Sequence, residues 1–161
     1  MVWYKKLFLF GSIYLSAILI ANLVTGLVSF AFKLSLVTVQ GPTLLSRLAM
    51  VAAYYIALSL AFFLLFRYLS HRYRFTRKDF YVFFGIVVLS HALIVVFGRW
   101  DALWLVTTGT TGLAQLIYAQ GGYLESLRDI PRIYYAIGLT IEDICLVVFS
   151  VPGYFKPSSK D

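Results

Sequence analysis

Two acidic side chains, Glu142 and Asp143, stand side by side in an apolar segment that covers residues 133–151. A carboxylate at the centre of a lipid bilayer costs about 2.5–3.5 kcal/mol on insertion scales, so intramembrane acids usually have a function. Two adjacent acids need a proton, a cation or polar partners to offset that cost. The pair therefore indicates a site that binds or passes a charged or polar species.

Other apolar segments carry polar residues at a similar predicted depth. Asn22 lies near the centre of the first segment, His91 of the third and Thr111 of the fourth. Membrane transport sites tend to lie at this depth, and a histidine beside a carboxylate can exchange protons with it. We therefore predict a polar midplane site that binds an ion or substrate, formed by Asp143, Glu142, His91, Asn22 and Thr111.

Adjacent residues on a helix point about 100° apart, so Glu142 and Asp143 should meet different partners. Asp143 shares a helix face with Ala136 and Ser150, whereas Glu142 shares one with Tyr135. The first face is smaller and more polar. We therefore expect Asp143 to face the bundle interior and Glu142 to face a second neighbour or another protomer.

Two interpretations of these polar residues stay open. In the first, His91 and one carboxylate form a protonatable or cation-binding site. In the second, the acids are neutral or hydrogen-bonded to residues such as Asn22 and Thr111, and they only set the helix register. The angle between the two acids argues against a metal site with His91 and Cys145, so we expect no metal and no other cofactor.

Membrane-spanning helices must position these side chains. The chain has 161 residues, of which 61% are hydrophobic and 13% are charged, and its mean hydropathy is +0.84. That is too little charge to cover a soluble domain of this length. Each apolar run is close to the about 20 residues that cross a bilayer. We predict an all-α polytopic membrane bundle, a single transmembrane domain over residues 1–161 with about five spans at residues 7–32, 44–66, 80–97, 102–120 and 133–151.

Basic residues predict the orientation of the bundle. With five spans, Lys5, Lys6, the basic segment 67–78, Arg128 and Arg132 share one side. Cytoplasmic loops are enriched in lysine and arginine. We therefore expect a cytoplasmic N-terminus and an outer C-terminus in an inner or plasma membrane. The net charge of +7 is interpreted as this topology signal, and we expect no nucleic-acid partner.

Two features of the sequence suggest what the protein contacts in the membrane. Residues 67–78 interleave basic and aromatic side chains, which can contact anionic lipid headgroups or act only as a topology signal. Ala49, Ala53, Ala57 and Ala61 form an alanine face at spacing four. Small residues at that spacing favour close helix packing, so we expect a tight bundle that is a homo-oligomer or a subunit of a membrane complex.

Glu125 and Asp143 are separated by 18 residues, and they follow the stretch GLAQLIYAQGG. This region resembles the C-terminal half of lipoprotein signal peptidases, which are four-span aspartyl proteases. The resemblance implies an intramembrane enzyme that uses Asp143 with Glu125. That family has two catalytic aspartates with an Asn and an Arg before the first, whereas here the first acid is a glutamate and that Asn and Arg are missing.

A second stretch, residues 54–104, includes His91 and Trp104 and resembles the membrane domain of ethylene receptors. The resemblance implies a shared three-helix scaffold. The cysteine that helps to hold copper in that family is replaced by Val87, and its aspartate falls on Arg47. Copper is therefore not expected.

The sequence has no HExxH, GxSxG or GxxxxGK[ST] motif, which are signatures of zinc, serine and phosphate chemistry. We expect a non-catalytic membrane protein, transporter- or channel-like or part of a membrane complex, that handles a proton, a cation or a small solute. The alternatives are an intramembrane aspartyl-type enzyme and a sensor or scaffold subunit whose acids bond a partner's helix.

Overall fold

The computed structural model describes residues 3–35, 44–73, 75–97, 113–114, 116–117 and 131–154. Four long helices account for most of this described part: α1 (Trp3–Ser35), α2 (Leu44–Tyr73), α3 (Arg77–Phe97) and α4 (Arg132–Tyr154). Each is long and apolar enough to span a membrane. The described part of the chain is therefore all-α, with four candidate membrane spans.

The outward faces of all four helices are apolar. Phe8 on α1, Leu45 on α2 and Phe97 on α3 are 78%, 70% and 71% exposed, and Ile133 on α4 is 63% exposed. Apolar surfaces of this extent are unfavourable in water and favourable in lipid. Helices also satisfy their backbone hydrogen bonds internally, which the hydrocarbon requires. Both properties indicate a membrane protein.

An ion pair sets the relative direction of the first three helices. Lys6 Nζ, near the start of α1, lies 2.8 Å from Asp79 Oδ2, near the start of α3. These two helices therefore begin at the same end of the bundle, and α2 runs in the opposite direction between them. We call this end, where α1 and α3 begin and α2 ends, the basic end; its described basic residues are Lys5, Lys6, Arg67, Arg72, Arg77 and Lys78.

Helix α4 closes the bundle and runs parallel to α2. Arg132 Nη1, at the start of α4, donates a hydrogen bond to the carbonyl oxygen of Val96, near the end of α3, at 3.0 Å. Helix α4 packs against α2 and α3, and α1 also packs against α2 and α3. The four helices thus form a ring in the order α1, α2, α4, α3, with a single interior.

A reciprocal hydrogen-bond pair starts α3 at the basic end. The backbone N–H of Thr76 donates to Asp79 Oδ2 at 3.0 Å, and the backbone N–H of Asp79 donates to Thr76 Oγ1 at 3.3 Å. This is the capping-box arrangement, which satisfies donors that the first helical turn leaves open. Asp79 thus caps α3 and also binds Lys6 of α1.

Aromatic side chains fill the interior between the basic end and the centre of the bundle. The Phe10 ring lies 5.7 Å from Phe66, 4.7 Å from Phe75 and 5.0 Å from Phe83, measured between ring centroids. Phe66 in turn packs edge-on against Phe80 at 6.0 Å. We call these five residues the aromatic cluster, and it joins α1, α2 and α3.

Small residues bring α1 and α2 together. Ala57 and Ala61, two members of the predicted alanine face, are buried in the core with Ala17 and Ala21 of α1. Small side chains at this spacing allow two helix backbones to approach closely. This part of the alanine face therefore packs inside the bundle.

The structure differs from the predicted topology at the junction of α3 and α4. The predicted span at residues 102–120 lies almost wholly outside the described residues, so the count of five is not confirmed. If the predicted span between α3 and α4 crossed the bilayer once, the end of α3 and the start of α4 would lie at opposite ends of the bundle. Arg132 instead contacts Val96, which lies about 25 Å along α3 from Asp79.

Two predictions about orientation are therefore wrong. Arg132 does not share an end of the bundle with Lys6, because its bond to Val96 holds it at the opposite end. The end of α4 lies at the basic end with the start of α1, rather than across the bundle from it. The physical reason is that α4 runs parallel to α2. A count of basic residues cannot detect the direction of a helix.

Site-specific labelling tests this arrangement. In a Cys145→Ala background, Lys5→Cys and Arg132→Cys should react with a membrane-impermeant maleimide from opposite sides of sealed vesicles. Arg77→Cys is the matched control and should react from the same side as Lys5→Cys, because both lie at the basic end. Labelling of Lys5→Cys and Arg132→Cys from one side would contradict the direction of α4.

Candidate functional site

Each of the four helices contributes to a group of polar side chains at the centre of the bundle. We call it the polar cluster: Tyr14 from α1, Tyr54 from α2, His91 from α3, and Glu142 and Asp143 from α4. It lies about 15 Å from the start of α4 and about 21 Å from the start of α3. The cluster is therefore far from both ends of the bundle.

Helical periodicity places these side chains inside. On α3, three- and four-residue steps bury Phe80, Phe83, Val87 and His91. On α4, similar steps bury Tyr135, Leu139, Glu142, Leu146 and Ser150. Residues at such steps share one helix face, so the histidine and the glutamate occupy positions that an apolar residue would otherwise fill.

Glu142 is the more deeply buried of the two acids, with 1% of its surface exposed. The Tyr54 hydroxyl donates a hydrogen bond to its Oε1 at 3.0 Å. Glu142 therefore faces a second neighbouring helix, α2, whereas Asp143 contacts α3. The buried face of α4 is centred on Glu142, and a tyrosine of α2 supplies the donor that its carboxylate needs.

The neighbouring tyrosine makes a different contact. The Tyr55 hydroxyl donates to the carbonyl oxygen of Gly138, one turn before Glu142, at 3.3 Å. The rings of Tyr54 and Tyr55 pack edge to face with centroids 5.3 Å apart. Both tyrosines thus attach α2 to α4, but only Tyr54 reaches the acid.

His91 lies between Asp143 and Tyr14. Its Nδ1 is 2.9 Å from Asp143 Oδ1, and its Nε2 is 2.8 Å from the Tyr14 hydroxyl oxygen. The donor in the second contact depends on which ring nitrogen carries the hydrogen. The imidazole therefore links α1, α3 and α4 through its two nitrogens.

The His91–Asp143 contact is close but not linear. The atoms Nδ1 and Oδ1 have the separation of an ion pair, yet they lack the alignment of a hydrogen bond. The two side chains thus form a close contact between α3 and α4.

The structure brings together three of the five predicted site residues, namely His91, Glu142 and Asp143. Asn22 lies on α1 two turns beyond Tyr14, about 12 Å further along the helix, and its side-chain oxygen is buried. Thr111 lies outside the described residues, as does Glu125 of the predicted aspartyl pair. Asp143 faces the interior, as predicted.

Cys145 does not add a ligand to the cluster. It is partly buried on α4 and hydrogen-bonded to Ser59 of α2. Within the described helices, no group of three or more His, Cys, Asp or Glu residues is arranged to hold a metal ion.

Sequence reasoning missed Tyr14 and Tyr54. A signal was present, because tyrosines in membrane proteins concentrate at the two interfaces, whereas each of these lies ten or more residues inside a helix. A buried tyrosine hydroxyl usually has a hydrogen-bond partner. Tyrosines at the same depth as intramembrane acids should therefore be included in such a prediction.

The chemistry available to the cluster is protonation and charge compensation. Two carboxyl groups and one imidazole can each take up or release a proton, and the two phenol hydroxyls can donate to them. Taken alone, Glu142, Asp143 and His91 carry one negative charge when all three are ionised. A low-dielectric interior disfavours a net charge, and one proton or one monovalent cation would neutralise it.

Comparison with known proteins finds no matching family model, no matching curated sequence and no matching solved structure.

The Tyr54–Glu142 hydrogen bond can be tested by removing one hydroxyl. Tyr54→Phe keeps the ring and should lower the free energy of unfolding in detergent by about 1–3 kcal/mol, because a hydrogen bond to a buried carboxylate is lost. Unfolding followed by circular dichroism measures the change.

Tyr55→Phe is the matched control for this variant. It removes a hydroxyl from a carbonyl oxygen that can also accept a backbone bond within α4, so its loss should stay below about 1 kcal/mol. Equal losses in the two variants would show that the bond to Glu142 has no special importance.

Proposed function

We propose that this protein is a small integral membrane protein whose polar cluster binds or passes a proton, a cation or a small solute. It would act as a transporter- or channel-like protein or as a subunit of a membrane complex. One observation carries the proposal. Glu142 and Asp143 are held inside four apolar helices, with Tyr54 against the first acid and His91 against the second.

A purely structural role for the cluster is less well supported by the energetics. Neutral polar side chains join membrane helices for about 0.6–2 kcal/mol each, whereas each intramembrane carboxylate costs about 2.5–3.5 kcal/mol to insert. The aromatic cluster and the alanine face already provide close packing. Because titratable groups lie on two facing helices, we favour a role in which the charge of the site changes.

The proposed setting is an inner or plasma membrane with the basic end towards the cytoplasm. Cytoplasmic ends of membrane bundles are enriched in Lys and Arg. The opposite end of the described helices carries fewer basic residues: Lys33, Arg47 and Arg132. On this proposal the N-terminus is cytoplasmic, and the basic end contacts anionic lipid headgroups.

Reconstitution tests the proposed site. In liposomes that contain the purified protein, Asp143→Asn should abolish the flux that the wild type shows, because it removes a titratable charge and keeps the side-chain shape. Proton uptake is measured with an entrapped pH dye, and sodium uptake with a radioactive tracer. Glu125→Gln should leave the flux unchanged, since only the aspartyl-enzyme alternative gives Glu125 a role.

Asp79→Asn is the matched control. It makes the same chemical change at the basic end, where Asp79 binds Lys6 and Thr76 rather than the polar cluster. Flux should persist in this variant. Equal loss in both variants would indicate general destabilisation, and persistence of flux in Asp143→Asn would contradict the proposed site.

The lipid contact can be tested independently. Removing two charges with Arg77→Gln and Lys78→Gln should reduce the anionic lipid that co-purifies with the protein, because each basic residue near an anionic surface contributes about 1 kcal/mol. Native mass spectrometry counts the bound lipids. Arg132→Gln at the other end is the control, and the same reduction in that variant would argue against a specific role for the basic end.

A further inference from the structure

The described groups that contact the two acids can exchange hydrogen atoms with them. Tyr54 directs its hydroxyl hydrogen towards Glu142, and the His91 ring edge meets Asp143. A bound metal cation instead requires several oxygen atoms that direct lone pairs at one point. The lining of the polar cluster is thus better matched to a proton than to a sodium or calcium ion.

The contacts of His91 also form a path. One nitrogen meets a carboxylate of α4 at 2.9 Å and the other meets a phenol of α1 at 2.8 Å. Both separations are within the range over which a general acid and a general base exchange a proton. Tyr14 is only partly buried, whereas Glu142 and Tyr54 are fully buried.

We propose that the species handled by the polar cluster is the proton, and that His91 relays it between Asp143 and Tyr14. This inference rests on the proposed function and specifies its substrate. Every helix of the ring contributes a titratable group that faces the relay: Tyr14 from α1, Tyr54 from α2, His91 from α3 and Glu142 with Asp143 from α4.

The transfer balances in protons and charge. The protonated Asp143 carboxyl gives its proton to Nδ1 of a neutral His91, which leaves a carboxylate and an imidazolium. The imidazolium releases its Nε2 proton to the Tyr14 hydroxyl oxygen while that hydroxyl gives its own proton to a water molecule. The phenol is thus unchanged, the ring ends neutral with its hydrogen on Nδ1, and one proton has left the cluster.

Glu142 and Tyr54 form a branch beside this path. Tyr54 hydrogen-bonds Glu142, whereas Asp143 and Tyr14 each contact His91 directly. The necessary carriers are Asp143, His91 and Tyr14.

The test uses the full-length protein in liposomes, with proton uptake driven by a potassium diffusion potential and read by an entrapped pH dye. His91→Gln keeps a polar side chain that cannot titrate, and it should reduce proton uptake at least about tenfold. Tyr14→Phe removes the last hydroxyl of the path and should also reduce uptake. Tyr55→Phe, which removes a hydroxyl outside the path, should leave uptake at the wild-type level.

The outcomes separate the relay from the broader proposal. Proton uptake that is unchanged in His91→Gln overturns the relay. If that variant does not fold, the same result in a folded Tyr14→Phe overturns it. Sodium uptake that Asp143→Asn abolishes, without any proton uptake by the wild type, overturns the relay and leaves the proposed function standing. Absence of both fluxes overturns the relay and the proton- and sodium-handling forms of the proposed function.

Discussion

A carboxylate in a water-free interior must receive its hydrogen bonds from protein, and most of this bundle is organised around that requirement. Glu142 has 1% of its surface exposed, so bulk water cannot solvate it. The necessary donor comes from Tyr54, across the interface between α2 and α4. Asp143 lies 2.9 Å from His91, across the interface between α3 and α4. The two adjacent acids of α4 thus determine which face of α2 and which face of α3 turn inwards.

The two ends of the interior are held by different forces. Near the basic end, the aromatic cluster packs three helices by apolar contact, which tolerates small shifts because dispersion is not directional. At the centre, two hydrogen bonds of 2.8 and 3.0 Å are directional and fix the side chains that they join. Packing therefore gathers the helices, and the polar contacts select their register.

Much of this could be predicted from composition and periodicity. The long apolar runs predicted four helices that the structure contains, and the cost of burying acids singled out Glu142, Asp143 and His91. The partners Tyr14 and Tyr54 were not predicted, because a tyrosine within an apolar segment is usually counted as part of its apolar surface. The sequence left open whether Glu142 meets a second helix or another protomer, and only its contact with Tyr54 identifies α2 as the neighbour.

The direction of α4 could not be predicted from the sequence either. Basic residues are counted by assuming that each apolar run crosses the membrane once, and Arg132 was assigned to the side of Lys6 on that basis. Its position depends instead on one contact with Val96, which joins residues that are 36 positions apart. Such long-range contacts leave no periodic signal in a single sequence.

The depth of the polar cluster makes it sensitive to membrane voltage. A charge that crosses a whole membrane gains or loses about 2.3 kcal/mol for each 100 mV. A charge that stops near the middle of a spanning bundle experiences roughly half of that energy, or about 1 kcal/mol. On the proposed function, energised and de-energised membranes would therefore hold this cluster in different states of charge at the same bulk pH.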